Sequence, residues 1–169
     1  MRIDLPKPLG PGEQFGVSID YEYNIIDANL IGGRGGYEYF EEDDNYIYEI
    51  AQWYPRVVAY TDYAAWQHRA FLGRGEFTLE LGDYRVRITV PSAMVVTATG
   101  TLQNEDDVLK DAWKERLIKA KSADKPVFIV TPEEAKANEE VRTKKTATWE
   151  FAAKNIREFA FAASGKFVG

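Results

Sequence analysis

The side chains able to do chemistry are few. The chain has one histidine, His68, and no cysteine. A zinc hydrolase needs several nitrogen, sulfur or carboxylate ligands, and the HExxH motif supplies two histidines one helical turn apart. That motif is absent. His68 therefore reads as a surface or capping residue. No serine sits in a nucleophile-elbow setting that would make a triad with it. Without cysteine there is no thiol catalysis, no disulfide and no Cys-based metal site.

Two further clusters invite a ligand. Gly32-Gly33-Arg34-Gly35-Gly36 resembles a phosphate loop, which requires a helix N-terminus behind it to hold the anion. Tyr37-Glu38-Tyr39-Phe40 follows instead and is not helical in pattern, so a turn is expected. Glu41-Glu42-Asp43-Asp44 could attract calcium but lacks the spacing, the central glycine and the terminal glutamate of a calcium loop. It reads as a solvated loop tip. Paired carboxylates for glycoside chemistry cannot be singled out among 27 acidic residues.

The elements that would position any site are mostly strands. The 169 residues suit a single domain, and 14% are aromatic, which favours half-buried pleated surfaces. After a Pro- and Gly-rich opening segment over 1–12, Phe15, Val17, Ile19, Tyr21 and Tyr23 alternate with small or polar residues, a strand pattern. Residues 24–45 read as a long loop or hairpin. Tyr46 to Tyr54 reads as a covered strand ended by Pro55. Residues 61–75 are irregular. Phe77, Leu79 and Leu81, the turn Gly82-Asp83, and Tyr84, Val86, Ile88 and Val90 predict a β-hairpin, with Glu76 and Glu80 facing Arg85 and Arg87 on its wet side. Met94 to Leu102 continues as a strand.

Helical periodicity then appears over 106–121 through Val108, Leu109, Ala112, Trp113 and Leu117. Val127–Val130 reads as a short strand. Thr131-Pro132-Glu133-Glu134 is a helix start with a capping box, giving a short helix near 132–140. Residues 146–162 return to strand character. The expected fold is mainly β, an antiparallel sandwich or saddle with one or two short helices, forming a single domain over 1–169.

Net charge is −6, and acidic residues interrupt the basic stretch over 110–125. A nucleic-acid surface, which needs clustered Lys and Arg, is not expected. No apolar run reaches the length of a membrane span. Residues 1–6 lack the apolar core of a signal peptide.

Ile50-Ala51-Gln52-Trp53-Tyr54-Pro55-Arg56 resembles the N-terminal domain of aminopeptidase-N-type zinc metallopeptidases, the gluzincins of family M-one, in a bacterial branch. Gly35–Phe40, Phe71–Phe77, Gly82–Pro91, Gly100–Asn104 and Asn155–Ser164 resemble further segments of that domain in the same order, covering most of 35–168. The resemblance implies a β-saddle accessory domain lying ahead of a thermolysin-like catalytic domain. The family's GxMEN motif, its HExxH and its downstream glutamate ligand are not in this chain, so the resemblance implies a fragment without a catalytic centre of its own. Zinc, general base and peptide hydrolysis would belong to the catalytic domain of the same parent chain. It also implies a parent that is periplasmic or secreted, its signal lying upstream. One site residue is carried over: Gln52, matching the side chain that the family presents to the free amino group of the peptide substrate, with Arg56 matching the family's arginine. A strand glutamine bonded to its neighbours is the other reading of Gln52. The alternative for the whole chain is a free-standing β-sandwich module binding carbohydrate or protein, for which Trp53, Tyr54 and Trp66 would have to form an exposed platform.

Overall fold

A computed structural model describes residues 2–31, 35–68 and 78–169. In chain order the elements are α1 (Ala28–Ile31), β1 (Gly36–Phe40), β2 (Asn45–Ile50), β3 (Tyr60–Thr61), β4 (Ala65–Trp66), β5 (Gly82–Pro91), β6 (Val95–Ala98), β7 (Thr101–Leu102), α2 (Glu105–Val108), α3 (Asp111–Ala120), α4 (Pro132–Glu139), β8 (Thr146–Ile156) and β9 (Phe161–Ser164). The fold is mainly β, with short helices and antiparallel strand pairing throughout its sheets. Among the described residues no helix is long and apolar enough to cross a membrane.

One ribbon organises the molecule. β8 and β9 are consecutive and central, β9 in a sheet ordered β1-β2-β9-β6 and β8 in a sheet ordered β5-β8-β7. β6 runs into β7 along one side of this ribbon. β2 and β5 flank it on the other side, and β1 lies outside β2. The ribbon narrows to a waist at 157–160, where Thr99 donates its amide to the Ala160 carbonyl at 2.9 Å and keeps the two sheets in step. Gly100 makes the switch from β6 to β7 with φ of +95°, and a Cβ there would collide with the Ala152 carbonyl.

Alternation along β5 explains its place. Ile88 is buried, with Tyr84, Val86 and Val90 half-buried on the same face, while Asp83, Arg85, Arg87 and Thr89 are exposed. Val86 sits opposite Phe151 and Ile88 opposite Trp149. With Val96, Phe159 and Ala163 these build the main core. A second cluster of Trp113, Val130 and Ala135 holds the helices, and Leu109 and Val95 touch both.

Several local expectations change. Phe15 to Tyr23 belongs to no strand, and its apolar side chains are exposed. A strand is stable only when paired along an edge, and this segment pairs with no strand among the described residues. The expected turn at Gly82-Asp83 is instead the start of β5, which pairs with β8 and not with residues 78–81. Phe77 and Glu76 lie outside the described residues, and Leu79, Glu80 and Leu81 are not in a strand. The acid–base cross-strand pair nonetheless exists as Arg87 with Glu150, at 2.9 Å. β2 ends at Ile50, four residues short of Tyr54, because Gln52 has φ of +55°, outside the strand region.

The helix expected over 106–121 is broken. Leu109 and Lys110 take extended backbone angles between α2 and α3. The break lets Val108 and Leu109 face the sheet core while Trp113 enters the second cluster. Val127–Val130 forms no strand. Val130 exchanges backbone hydrogen bonds with Gly169, its amide donating at 2.6 Å and its carbonyl accepting at 3.1 Å. The start of α4 is as expected: the Thr131 hydroxyl accepts from the Glu134 amide, and the Glu134 carboxylate accepts from the Thr131 amide.

Glu134 carries a pH dependence. Its ion pair with Arg116, then the Thr131 amide, hold its carboxyl down from an ordinary 4.5 to about 2. A carboxyl depressed on folding contributes stability above its unfolded value, and that contribution is lost as pH falls through the folded one. Glu134→Gln should therefore flatten the fall in stability between about pH 4.5 and about 2, read by urea denaturation at a series of pH values.

Candidate functional site

The candidate site lies just beyond the end of β2, two residues after Ile50. Gln52 is exposed, in a left-handed backbone conformation, and its side chain makes no hydrogen bond to another described residue. The expectation of a strand glutamine bonded to its neighbours is thus corrected, since Gln52 lies beyond the strand. A cavity of about 220 Å³ opens beside it, lined by Gln52, Trp53, Glu49, Gly36, Tyr23 and Ile25 among others. A second, more open depression of about 390 Å³ shares Glu49, Ile50 and Ala51 and extends over Thr97 and Ala160 to Ala162. Glu49 and Gln52, both exposed, are among the residues that border the first. Together they supply acceptors suited to an ammonium group.

What holds Gln52 there is a clasp between two distant segments. The Trp53 indole N–H donates to the Phe159 carbonyl at 3.1 Å, and the Phe159 amide donates to the Tyr54 hydroxyl at 3.2 Å. Arg56 pairs with Glu158 and donates to the Arg157 carbonyl. Its guanidinium lies 5.5 Å from the Tyr54 ring centre. Phe159, fully enclosed, is the residue they surround. Burial first, and a hydrogen bond with Tyr84 second, push the Tyr54 hydroxyl well above its usual range. Arg56, matched by resemblance to a family residue, is therefore a positioning residue in this structure. The sequence order of the two segments gave no sign that they meet, their contacts spanning 101 to 106 residues.

The aromatic platform required for sugar stacking does not form from the three expected rings. Trp53 and Tyr54 turn inward and meet edge to face, 5.1 Å apart at 73°. Trp66 is exposed but stands against Tyr60 at 72°. Sequence reasoning missed a different group. Tyr37, Tyr39, Tyr46 and Tyr48 share one face of the β1–β2 hairpin through the pairs Tyr37–Tyr48 and Tyr39–Tyr46. Tyr46 and Tyr48 lie 5.8 Å apart and 18° from parallel. The period-two spacing of tyrosine on both sides of the acidic tip was the available signal.

His68 is exposed, its Nδ1 2.9 Å from the Trp66 carbonyl. At the hairpin tip, Asp43 is engaged by Lys166, which holds its carboxyl below the usual range, and Lys166 also reaches Glu139 at 3.3 Å. Gly35 and Gly36 lead into β1 and not into a helix. Among the described residues no three His, Cys, Asp or Glu side chains come together as a metal cage.

Arg56→Ala should cost about 1.5–3 kcal/mol in denaturant unfolding, the range for hydrogen bonds to charged groups, since Arg56 and Glu158 are both partly buried. The higher end is expected, because the other carboxylate oxygen of Glu158 is already buried without a partner among the described residues. Replacing both residues together by Met and Leu should restore most of the loss. Comparison of the chain with family models, with curated proteins and with solved structures found no match in any of the three.

Proposed function

We propose that this chain is the non-catalytic N-terminal β domain of a zinc aminopeptidase, walling one side of the substrate cleft of a catalytic domain in the same parent chain. The observation that carries the reading is the clasp. Two of the segments that carry the resemblance, Ile50–Arg56 and Asn155–Ser164, are brought into contact through Trp53, Tyr54, Arg56, Glu158 and Phe159. That contact leaves Gln52 pointing away from the core, beside a cavity and next to Glu49. In this reading Gln52 receives the free amino group of the peptide. In this reading the metal and the general base belong to the catalytic domain, and no reaction step is assigned to this chain.

The gene tests this directly. The reading frame beyond Gly169 should run into HExxH with a glutamate on a following helix; a stop codon directly after Gly169 would remove the proposal. In the parent enzyme, Gln52→Ala should raise KM for peptides with a free amino terminus about tenfold, equivalent to about 1.4 kcal/mol. An unchanged KM would remove Gln52 from the site.

A second reading, a carbohydrate-binding module, rests on the outer part of the tyrosine face on the β1–β2 hairpin, where exposed Tyr39 lies beside half-buried Tyr46, while Tyr48 packs against the main core. It expects saturable binding of soluble glycans by calorimetry, abolished in Tyr46→Ala. No heat with a glycan panel would end it.

A further inference from the structure

The longest unprotected feature of the fold is the outer edge of β5. It runs for ten residues, and among the described residues no strand pairs with it on the side away from β8. It carries a register shift at Gly82/Tyr84 and charges on its wet face, but no proline before its last residue and no charge on its core face to keep the edge from pairing. Tyr84, Val86 and Val90 on its core face remain half-buried, as expected where the neighbouring lane is open. The other unsatisfied feature is Phe15–Asn24. It alternates apolar with polar residues, and Phe15, Val17, Tyr21 and Tyr23 are each about half exposed.

We propose that Phe15–Asn24 is the strand that completes the β5 sheet, adding along its free edge within the same chain. Topology fixes the direction. β5 begins at the waist, where Gly82 faces Ile156, and runs away from it. The open lane beside β5 continues that of β1, since β1 lies outside β2 on the same side of the central ribbon. The N-terminal segment ends at the waist: the Ile26 carbonyl accepts from the Tyr37 amide at 3.0 Å, and Tyr23 lines the same cavity as Trp53. Trp53 touches Tyr54, whose ring centre is 5.7 Å from that of Tyr84, near the start of β5. A strand leaving the waist backwards along β5 is antiparallel to it.

Charge then fixes the register. With Asp20 opposite Arg87 and Glu22 opposite Arg85, Ser18 meets Thr89 on the same wet face. Val17, Ile19, Tyr21 and Tyr23 meet Val90, Ile88, Val86 and Tyr84 on the core face. A slip of one residue would turn the apolar set to solvent. A slip of two sets Glu22 against Asp83, or Asp20 against Thr89, and loses an acid–base pair either way. Arg85 has no ion-pair partner among the described residues, and Arg87 has only Glu150.

The chain has no cysteine, so a pair can be introduced cleanly. Ser18→Cys with Thr89→Cys places two thiols directly opposite on the wet face, within disulfide reach. Ser18→Cys with Asp83→Cys, on the same face but six residues out of register, is the control. Oxidation at low protein concentration should give an intramolecular disulfide about tenfold or more faster in the first pair, because the thiols are held at high effective concentration. Equal rates would overturn the proposal. A disulfide-linked dimer as the main product would also overturn it, and would assign the edge to a second copy. In the unsubstituted chain, the outward amides of β5 should be protected from hydrogen exchange and lose that protection on deletion of residues 2–24. Protection unchanged by the deletion would again overturn it.

Discussion

The enclosed ring of Phe159 and the hydrogen bonds on either side of it are what the two sheets have in common. Its carbonyl is taken by Trp53 and its amide by Tyr54, so the peptide units around it are satisfied at the point where the ribbon leaves one sheet for the other. A chain crossing between sheets leaves ladder hydrogen bonds behind, and buried backbone groups without partners are costly. The aromatic residues of 53–54 supply those partners and fill the space around the ring. Arg56 anchors the same crossing from its flank. The waist is thus held by side chains where the rest of the fold is held by ladders.

Where the sequence could be read, it was read through periodicity. The alternation over 82–90 located β5 and its core face, and the aromatic run over 146–162 located β8 and β9. The capping box at Thr131 stood out because all of its partners lie within four residues. What could not be read depends on partners far along the chain. A period-two pattern states that a strand has two faces, and does not name its neighbour. Hence Gly82-Asp83 read as a hairpin turn although the partner strand lies some 65 residues further on. The break at Leu109–Lys110 was hidden for a related reason: both halves keep helical spacing, and only the existence of two cores separates them.

The candidate site shows the same limit. Gln52 could be picked out by resemblance, and its exposure beyond the end of β2 suits a residue that meets a ligand. Its left-handed backbone conformation could not be foreseen, because glutamine has no particular preference for it. Such a conformation persists when flanking residues are fixed, and here Ile50 is held by β9 and Trp53 by Phe159. The tyrosine face of the β1–β2 hairpin lies on the same strand as the approach to Gln52. Both readings of function therefore draw on one hairpin, but on different ends of it.

The central position of β8 and β9 also governs how the chain comes to be folded. β2 and β6 never touch as neighbours; each pairs with β9, and β5 and β7 each pair with β8. During synthesis every strand up to β7 must therefore wait, unpaired apart from the β1–β2 hairpin and the short β3–β4 pair, until residues 146–164 emerge. Contacts this distant in sequence slow the search for the native state, and waiting strand edges are open to other chains. The helices α2 to α4, inserted between β7 and β8, lengthen that interval by more than forty residues.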